Sequence, residues 1–127
     1  MTIRRIQMSA RLSEAVVYGG LVYIGGQVAS PEAKETTVAG QTRLILSRID
    51  ELLAEAGTSK NKLLWVSVWL ADIETFVEMN SVWDDWIPSD ATPARATVEA
   101  RLALPDFRVE IAAVAATYTV GDLHEPP

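Results

Sequence analysis

The sequence of 127 residues contains no cysteine and a single histidine, His124. Without cysteine there is no disulfide, no thiolate metal ligand and no cysteine nucleophile, and a cytoplasmic location is the default expectation. One histidine near the end of the chain cannot complete a Ser-His-Asp triad or a zinc site. We therefore expect neither a metal ion nor a cofactor. His124 belongs to residues 121–127, which we expect to form a flexible tail after a single domain over residues 1–120.

Basic residues and long apolar runs are also scarce. With 11 basic and 17 acidic residues the formal net charge is −6, which argues against a nucleic-acid surface. No run of about 18 apolar residues predicts a membrane span, and the first five residues lack the apolar core of a signal peptide. No phosphate-cradling or dinucleotide-binding glycine pattern is found. Any chemistry therefore depends on arginine, carboxylates, hydroxyls, backbone groups and water.

Hydrophobic periodicity predicts six strands and two helices in the order β-β-β-α-β-α-β-β. The paired runs 15–18 and 21–24, separated by Gly19-Gly20, are typical of a β-hairpin. The predicted elements are a short strand over 3–7, that hairpin, a helix over 37–56, a strand over 63–70, a helix over 73–87, and two strands beginning near 94 and 109. Two such amphipathic helices predict an α+β two-layer sandwich, with both helices on one face of a mixed sheet.

The strands over 63–70 and 109–120 carry apolar side chains on both sides of the pleat. Two helices cannot cover both faces of the sheet, so the other face would expose more apolar surface than a monomer normally shows. The sequence therefore predicts a homo-oligomer.

The stretch from Thr92 to Leu102 alternates strictly, with small or apolar residues on one face and Arg95, Thr97, Glu99 and Arg101 on the other. This pattern predicts a strand with one face buried. The following run from Val109 to Val120 is apolar apart from Glu110, as expected for an interior strand covered on both faces. Together they suggest a hairpin with a guanidinium on one strand and a carboxylate on the other. The pair could be structural, or it could be a small polar site.

Two further features have more than one interpretation. Gly25-Gly26 ends the strand over 21–24, where it could admit a ligand or another backbone, or mark a β-bulge. On the second helix, the aromatic stripe at spacings of three and four is interpreted as core rather than as a cofactor site. Asp84-Asp85 on that helix is interpreted as a solvated face. The stripe consists of Phe76, Met79, Trp83 and Trp86.

The segment Pro93-Ala94-Arg95-Ala96-Thr97-Val98, with Arg101, Ala103 and Val109-Glu110-Ile111 after it, resembles the signature of the RidA/YjgF family of reactive intermediate deaminases. The likeness covers nearly the whole chain. It includes Leu21 to Gln27, Gln41-Thr42, Val68 to Asp72 and Phe76 to Asn80. Arg11 to Val16 is more similar to the YoaB-like branch than to the archetypal deaminases.

The resemblance implies a homotrimer of chorismate-mutase-like subunits, with a pocket in each intersubunit cleft. It also implies hydrolysis of 2-imino (enamino) acids to 2-keto acids and ammonia. Arg95 would grip the substrate carboxylate, because a planar guanidinium matches a carboxylate in a bidentate fork. Backbone at Gly25 and Gly26, together with Thr97, would line the pocket. Glu110 would polarise or position the attacking water; alternatively, it would only orient Arg95 or a neighbouring arginine, Arg101.

Two residues depart from the family pattern. Leu12 stands where archetypal members carry a tyrosine, and Thr97 replaces a cysteine or serine often found there. A carboxylate-binding pocket survives both changes, whereas catalysis depends on accurate placement of water. The alternative hypothesis is therefore a non-catalytic module that binds or senses a small keto acid. An endoribonuclease is the least favoured, given the acidic charge and the lack of a usable histidine base. The physiological substrate is not indicated by the sequence.

Overall fold

The computed structural model describes residues 2–117, which form a six-stranded mixed sheet with two helices on one face. The predicted α+β two-layer architecture and element order are confirmed. The elements are β1 (Arg4–Met8), β2 (Ser13–Tyr18), β3 (Leu21–Gln27), α1 (Val38–Glu55), β4 (Leu63–Leu70), α2 (Phe76–Trp86), β5 (Ala94–Glu99) and β6 (Val109–Ala116). The strand order in the sheet is β1-β2-β3-β6-β4-β5. The expected tail over 121–127, with His124, lies outside the described residues.

The glycine pair between β2 and β3 forms the predicted hairpin turn. Gly19 and Gly20 have φ values of +61° and +83°, in the left-handed region that glycine adopts without a steric penalty. Positive φ at both central residues is the mark of a primed turn, whose twist matches that of the flanking strands. Tyr18 and Leu21 are paired directly across the turn.

Helix α1 agrees with the prediction in extent and in its buried face. The Thr37 hydroxyl accepts a hydrogen bond from the backbone N–H of Gly40 at 3.0 Å, which caps the first turn. At the other end Gly57 has a φ of +82° and ends the helix. Its apolar stripe contributes most of the helical half of the core, through Val38, Ile45, Leu46, Ile49, Leu52 and Leu53.

Helix α2 begins later than predicted. The Asp72 carboxylate accepts from the backbone N–H of Glu74 at 2.9 Å, but it caps a short 3₁₀ turn, Ile73–Thr75, that precedes the α-helix. The helix proper ends at Trp86, because the residue before Pro88 is disfavoured in the helical conformation. Accordingly, Ile87 is extended, with ψ of 134°.

The predicted hairpin of the last two strands is wrong. β4 lies between β5 and β6, pairing in parallel with β5 and antiparallel with β6. Parallel neighbours need a crossover, and α2 supplies it between β4 and β5. The loop after Glu99 then carries the chain past β4 to start β6 at Val109.

The sheet buries only its helix-facing side. On β4 and β6 the residues facing the helices are almost fully buried: Val66, Val68, Leu70, Val109, Ile111 and Ala113. The opposite side, which we call the open face, is crossed by one paired row formed by Val16, Tyr23, Val114, Trp65 and Ala94. The expectation that the last strand is covered on both faces is therefore wrong within one subunit.

Several large apolar side chains on the open face are exposed to solvent. Tyr23, Trp65 and Val98 are 47%, 43% and 49% exposed. The apolar face of β5 thus points away from the helices, contrary to the prediction that it is the buried one. A contiguous apolar surface across five strands is typical of a protein–protein interface. Neither helix within residues 2–117 is long and apolar enough to cross a membrane.

Gln41 links two loops to α1. It is only 2% exposed. Its amide nitrogen donates to the carbonyls of Glu35 and Asp106, both at 2.9 Å. Its amide oxygen accepts from the backbone N–H of Arg108 at 2.8 Å. The side chain therefore fixes the start of β6 and, with it, the position of Glu110.

We expect Gln41→Leu to destabilise the protein by about 2–4 kcal/mol, because it leaves buried backbone groups in both loops without partners. Denaturant unfolding at matched protein concentration measures this. Ser47→Ala, on the exposed side of the same helix, is the control and should change stability by less than about 0.5 kcal/mol. Equal effects of the two variants would contradict the linking role of Gln41.

Candidate functional site

Arg95 lies on the edge strand β5, with its side chain on the helix-facing side of the sheet. Its guanidinium carbon is 4.9 Å from the ring centroid of Trp83 and 5.9 Å from that of Phe76. The Nη1 atom is buried and has no hydrogen-bond partner among the described residues. Burial lowers the pKa of Arg95 below its usual value, and the nearby Asp84 carboxylate opposes that shift. The guanidinium remains charged, since arginine does not deprotonate in proteins.

Thr97 follows two residues later on the same face of β5. Its Oγ1 atom is also buried and also without a partner. Within residues 2–117, Arg95 Nη1 and Thr97 Oγ1 are the buried side-chain polar atoms that lack a hydrogen bond. Because buried polar groups are nearly always paired, two unpaired atoms on one face of the same strand are unusual.

Gly25 and Gly26 lie where the pairing of β3 with β6 shifts register, between Ile24 and Gln27. The glycines therefore do mark a β-bulge. They also permit a close approach, because a Cβ on Gly26 would overlap the carboxylate of Glu110, whereas a Cβ on Gly25 would make only ordinary contacts. Gly26 and Glu110, both predicted site residues, are thus in direct contact.

Leu12 lies in the turn before β2, at the same end of the sheet. Its side chain is 54% exposed. The pairing of Ala15 with Ile24 and the proximity of Gly25 to the Glu14 carbonyl place the start of β2 beside the glycine pair. Leu12, Gly25, Gly26 and Glu110 therefore form one group of predicted site residues.

Arg95 and Thr97 form a second group of predicted site residues. Within one subunit this group lies apart from the group of Leu12, Gly25, Gly26 and Glu110. Arg95 is aligned with Val66 on the helix side, whereas Glu110 is aligned with Trp69 on the open face. The two side chains are two strand spacings apart, about 10 Å, and about as far apart along the strands. The hydrogen bonds and ion pairs of residues 2–117 include none between Glu110 and Arg95 or Arg101. The hypothesis that Glu110 orients Arg95 is therefore wrong within a single chain.

Trp83 and Phe76 were assigned to the core by sequence reasoning, and their contact with Arg95 was missed. Trp83 is a core residue, only 6% exposed, so that prediction is confirmed for it. Phe76 and Trp83 are seven residues apart, which places both rings on one side of α2. This spacing was the sequence signal that the two rings could contact the same residue. What the sequence could not show is that β5 is the strand beneath that side. Asp84 and Asp85 are exposed, as predicted.

No group of three or more potential metal ligands is present in the part of the chain that the structure describes. The arrangement around Arg95 is instead suited to an anion. A partly buried guanidinium with a free Nη1 donor, on the same face of β5 as the free hydroxyl of Thr97, matches a small carboxylate.

The chain is similar to known proteins over most of its length. The family model described as Endoribonuclease L-PSP matches residues 2–117. A RutC family protein of Haemophilus influenzae is 44% identical over 116 residues, covering 91% of this chain and 98% of the relative. The RutC family protein YoaB of Escherichia coli is 38% identical, covering 91% and 99%. This chain belongs to the RidA/YjgF family.

Solved structures of RidA/YjgF family proteins share the fold. A YjgF family member from Neisseria meningitidis is 42% identical, with a TM-score of 0.90, covering 94% of this chain and 98% of that one. A more distant member from Mycobacterium tuberculosis is 26% identical, with a TM-score of 0.82 and coverages of 91% and 100%. The resemblance inferred from the Arg95 signature, including its likeness to YoaB, is confirmed.

The contact between Gly26 and Glu110 predicts a specific coupling. Gly26→Ala should destabilise the protein by about 1–3 kcal/mol, because the added methyl group displaces the half-buried Glu110 side chain. In a Glu110→Ala background the same change should cost almost nothing, since the space is then free. Denaturant unfolding of the four proteins in this double-mutant cycle measures the coupling.

Gly25→Ala is the matched control, because a Cβ there would lie 3.5 Å and 3.7 Å from the nearest backbone oxygens. It should have little effect in either background. A Gly26→Ala cost that persists when Glu110 is removed would show that the glycine is required for backbone reasons alone.

Proposed function

We propose that this protein hydrolyses reactive 2-imino (enamino) acids to 2-keto acids and ammonia in the cytoplasm. The observation that supports this most directly is the pair of unpartnered buried atoms, Arg95 Nη1 and Thr97 Oγ1. Nη1 is buried without an acceptor, and Arg95 forms no ion pair within 4.0 Å among residues 2–117, so this part of the guanidinium favours an anionic ligand. The reaction is inferred from the family resemblance. The geometry around Arg95 and Thr97 supports recognition of the substrate's carboxylate group.

The chemistry requires few protein groups. Arg95 holds the substrate carboxylate, which places the adjacent imine carbon within reach of water. Addition of water to that carbon and loss of ammonia convert R–C(=NH)–COO⁻ and H₂O into R–C(=O)–COO⁻ and NH₃. The Thr97 hydroxyl is able to donate to the ligand or accept from it. Glu110 polarises or positions the water, as a carboxylate general base does.

We further propose that each site is completed by a neighbouring subunit of a homotrimer, in the cleft between them. Two observations support this. Arg95 and Thr97 lie on the opposite face of the sheet from Glu110, and the open face exposes large apolar side chains. The family match over residues 2–117 is consistent with one domain over 1–120, followed by a tail over 121–127.

A second candidate function is non-catalytic binding of a small keto acid. It is favoured by Leu12, which offers no hydroxyl beside Gly26 and Glu110 where archetypal members carry a tyrosine. Both candidates use Arg95 in the same way. They differ in whether bound water is placed well enough for turnover.

The description of the matching family model names an endoribonuclease, but two features of the sequence disfavour that activity. The net charge of −6 disfavours binding of a phosphate backbone, and the one histidine, His124, lies in the proposed tail. RNA cleavage by purified protein, lost in Arg95→Ala, would reverse this conclusion.

Arg95→Ala tests the role of the guanidinium. With 2-aminoacrylate generated enzymatically, the wild type should release keto acid faster than buffer, and the variant should lose about 10- to 150-fold, as expected for a charge-assisted contact. Arg43→Ala, an exposed arginine on α1, is the control and should retain the wild-type rate. A wild-type rate equal to buffer across several imino acids would falsify the deaminase assignment.

Calorimetric titration of the same proteins separates the two candidates. A binding module takes up pyruvate or 2-oxobutanoate through Arg95 without any turnover of the imino acids. If wild type binds neither keto acid and hydrolyses no imino acid, both candidates fail.

Mixing two inactive variants tests whether the site is shared. If Arg95 and Glu110 come from different subunits, refolding Arg95→Ala together with Glu110→Gln in equal amounts should restore about a quarter of the wild-type activity, since random trimers rebuild that share of intact sites. Each variant refolded alone is the control. No recovery in trimers that native mass spectrometry shows to be mixed would contradict a site shared between subunits. A monomer mass by light scattering would contradict the trimer itself.

A further inference from the structure

The guanidinium of Arg95 is held by aromatic rings rather than by a carboxylate. Its carbon lies 4.9 Å from the Trp83 ring centroid and 5.9 Å from that of Phe76. Both distances are within the range in which an arginine is attracted to the negative face of an aromatic ring. Trp83 is 6% exposed, so this ring is fixed by the core around it.

No competing anchor is found. Among residues 2–117, the one ion pair shorter than 4.0 Å joins Arg48 and Glu51. Arg95 forms no hydrogen bond to another side chain of these residues. The Asp84 carboxylate is near enough to oppose the lowering of the Arg95 pKa by burial, but it forms no ion pair with Arg95 within 4.0 Å. The rings of α2 are therefore the contacts that restrict the guanidinium.

Whether a carboxylate or an aromatic ring contacts the guanidinium determines which of its N–H groups remain free for a ligand. A carboxylate would pair with the N–H edge of the guanidinium, which is the edge that a ligand carboxylate also needs. An aromatic ring attracts the cation without accepting its N–H groups in a fork. Nη1 accordingly remains free while the guanidinium is restrained.

We propose that Trp83 is a positioning residue, which orients Arg95 for a carboxylate ligand and leaves its donors free; this rests on the proposed function. Phe76 contributes a second, more distant and more exposed wall. Pre-organisation of this kind improves affinity because less freedom is lost when the ligand binds. It also explains why a tryptophan in the apolar stripe of α2 is placed directly opposite Arg95.

The test compares Trp83→Leu, which removes the ring but keeps an apolar side chain, with Trp83→Phe, which keeps a ring. Titration with pyruvate or 2-oxobutanoate should show affinity about 3- to 30-fold weaker for Trp83→Leu, and within about 3-fold of wild type for Trp83→Phe. Val82→Ala is the matched control. Val82 is buried on the same helix, beside Leu46 and Asp50 of α1, so it should lower stability without changing affinity.

A second measurement does not require a ligand. In ¹⁵N relaxation measurements on the arginine side chains, the Arg95 Nε–H, identified by its loss in Arg95→Ala, should be more restricted than those of the exposed arginines. Its motion should increase towards theirs in Trp83→Leu, but not in Trp83→Phe or Val82→Ala. A purely structural role of the ring would reduce stability in Trp83→Leu and leave this motion unchanged.

The outcomes are distinguishable. Unchanged affinity in folded Trp83→Leu, or an equal loss in Val82→Ala, overturns the positioning role even if the deaminase assignment stands. If the wild type binds no keto acid, the proposed function fails, and the relaxation of the Arg95 Nε–H then decides: increased motion specific to Trp83→Leu supports positioning by the ring, and unchanged motion overturns it.

Discussion

The partly buried guanidinium of Arg95, whose Nη1 atom has no hydrogen-bond partner, is the constraint on which the functional interpretation depends. Its place on the edge strand β5 is set by the crossover through α2, which brings β5 alongside β4 in parallel. The same crossover brings Trp83 and Phe76 over Arg95. Helix packing and the proposed ligand recognition therefore use the same side chains. A core tryptophan stabilises α2 against the sheet and at the same time restrains a cation whose N–H groups remain available.

The two faces of the sheet have different roles. The helix side forms the core and carries Arg95 and Thr97, whereas the open face carries Glu110 among exposed aromatic and aliphatic side chains. A polar site divided between opposite faces is of little use to an isolated subunit. It becomes useful when a second copy covers the open face. Two independent observations thus support the same assembly. The exposed apolar surface favours it through the hydrophobic effect, and the divided site favours it through electrostatics.

Binding and catalysis are not equally supported by the residues present. The carboxylate end of the proposed site retains its arginine, a hydroxyl at Thr97 and a fixed aromatic wall. The end that must place water has Glu110 against Gly26, but Leu12 brings an exposed apolar side chain where a hydroxyl would stand. In the proposed function, affinity for a small keto or imino acid depends on the first end, and turnover depends on the second.

The sequence by itself determined the element order, the hairpin at Gly19-Gly20, the extent of α1, the two-layer class and the family, because these depend on local periodicity, caps and a long ordered motif. It also selected Arg95, Thr97, Gly26 and Glu110. Only the tertiary structure decided that β4 separates β5 from β6, that the apolar side of β5 faces away from the helices, and that Trp83 lies over Arg95. Strand alternation shows which side chains share a face, but not which face the helices cover. That choice is made by packing between segments distant in sequence, which local patterns do not encode.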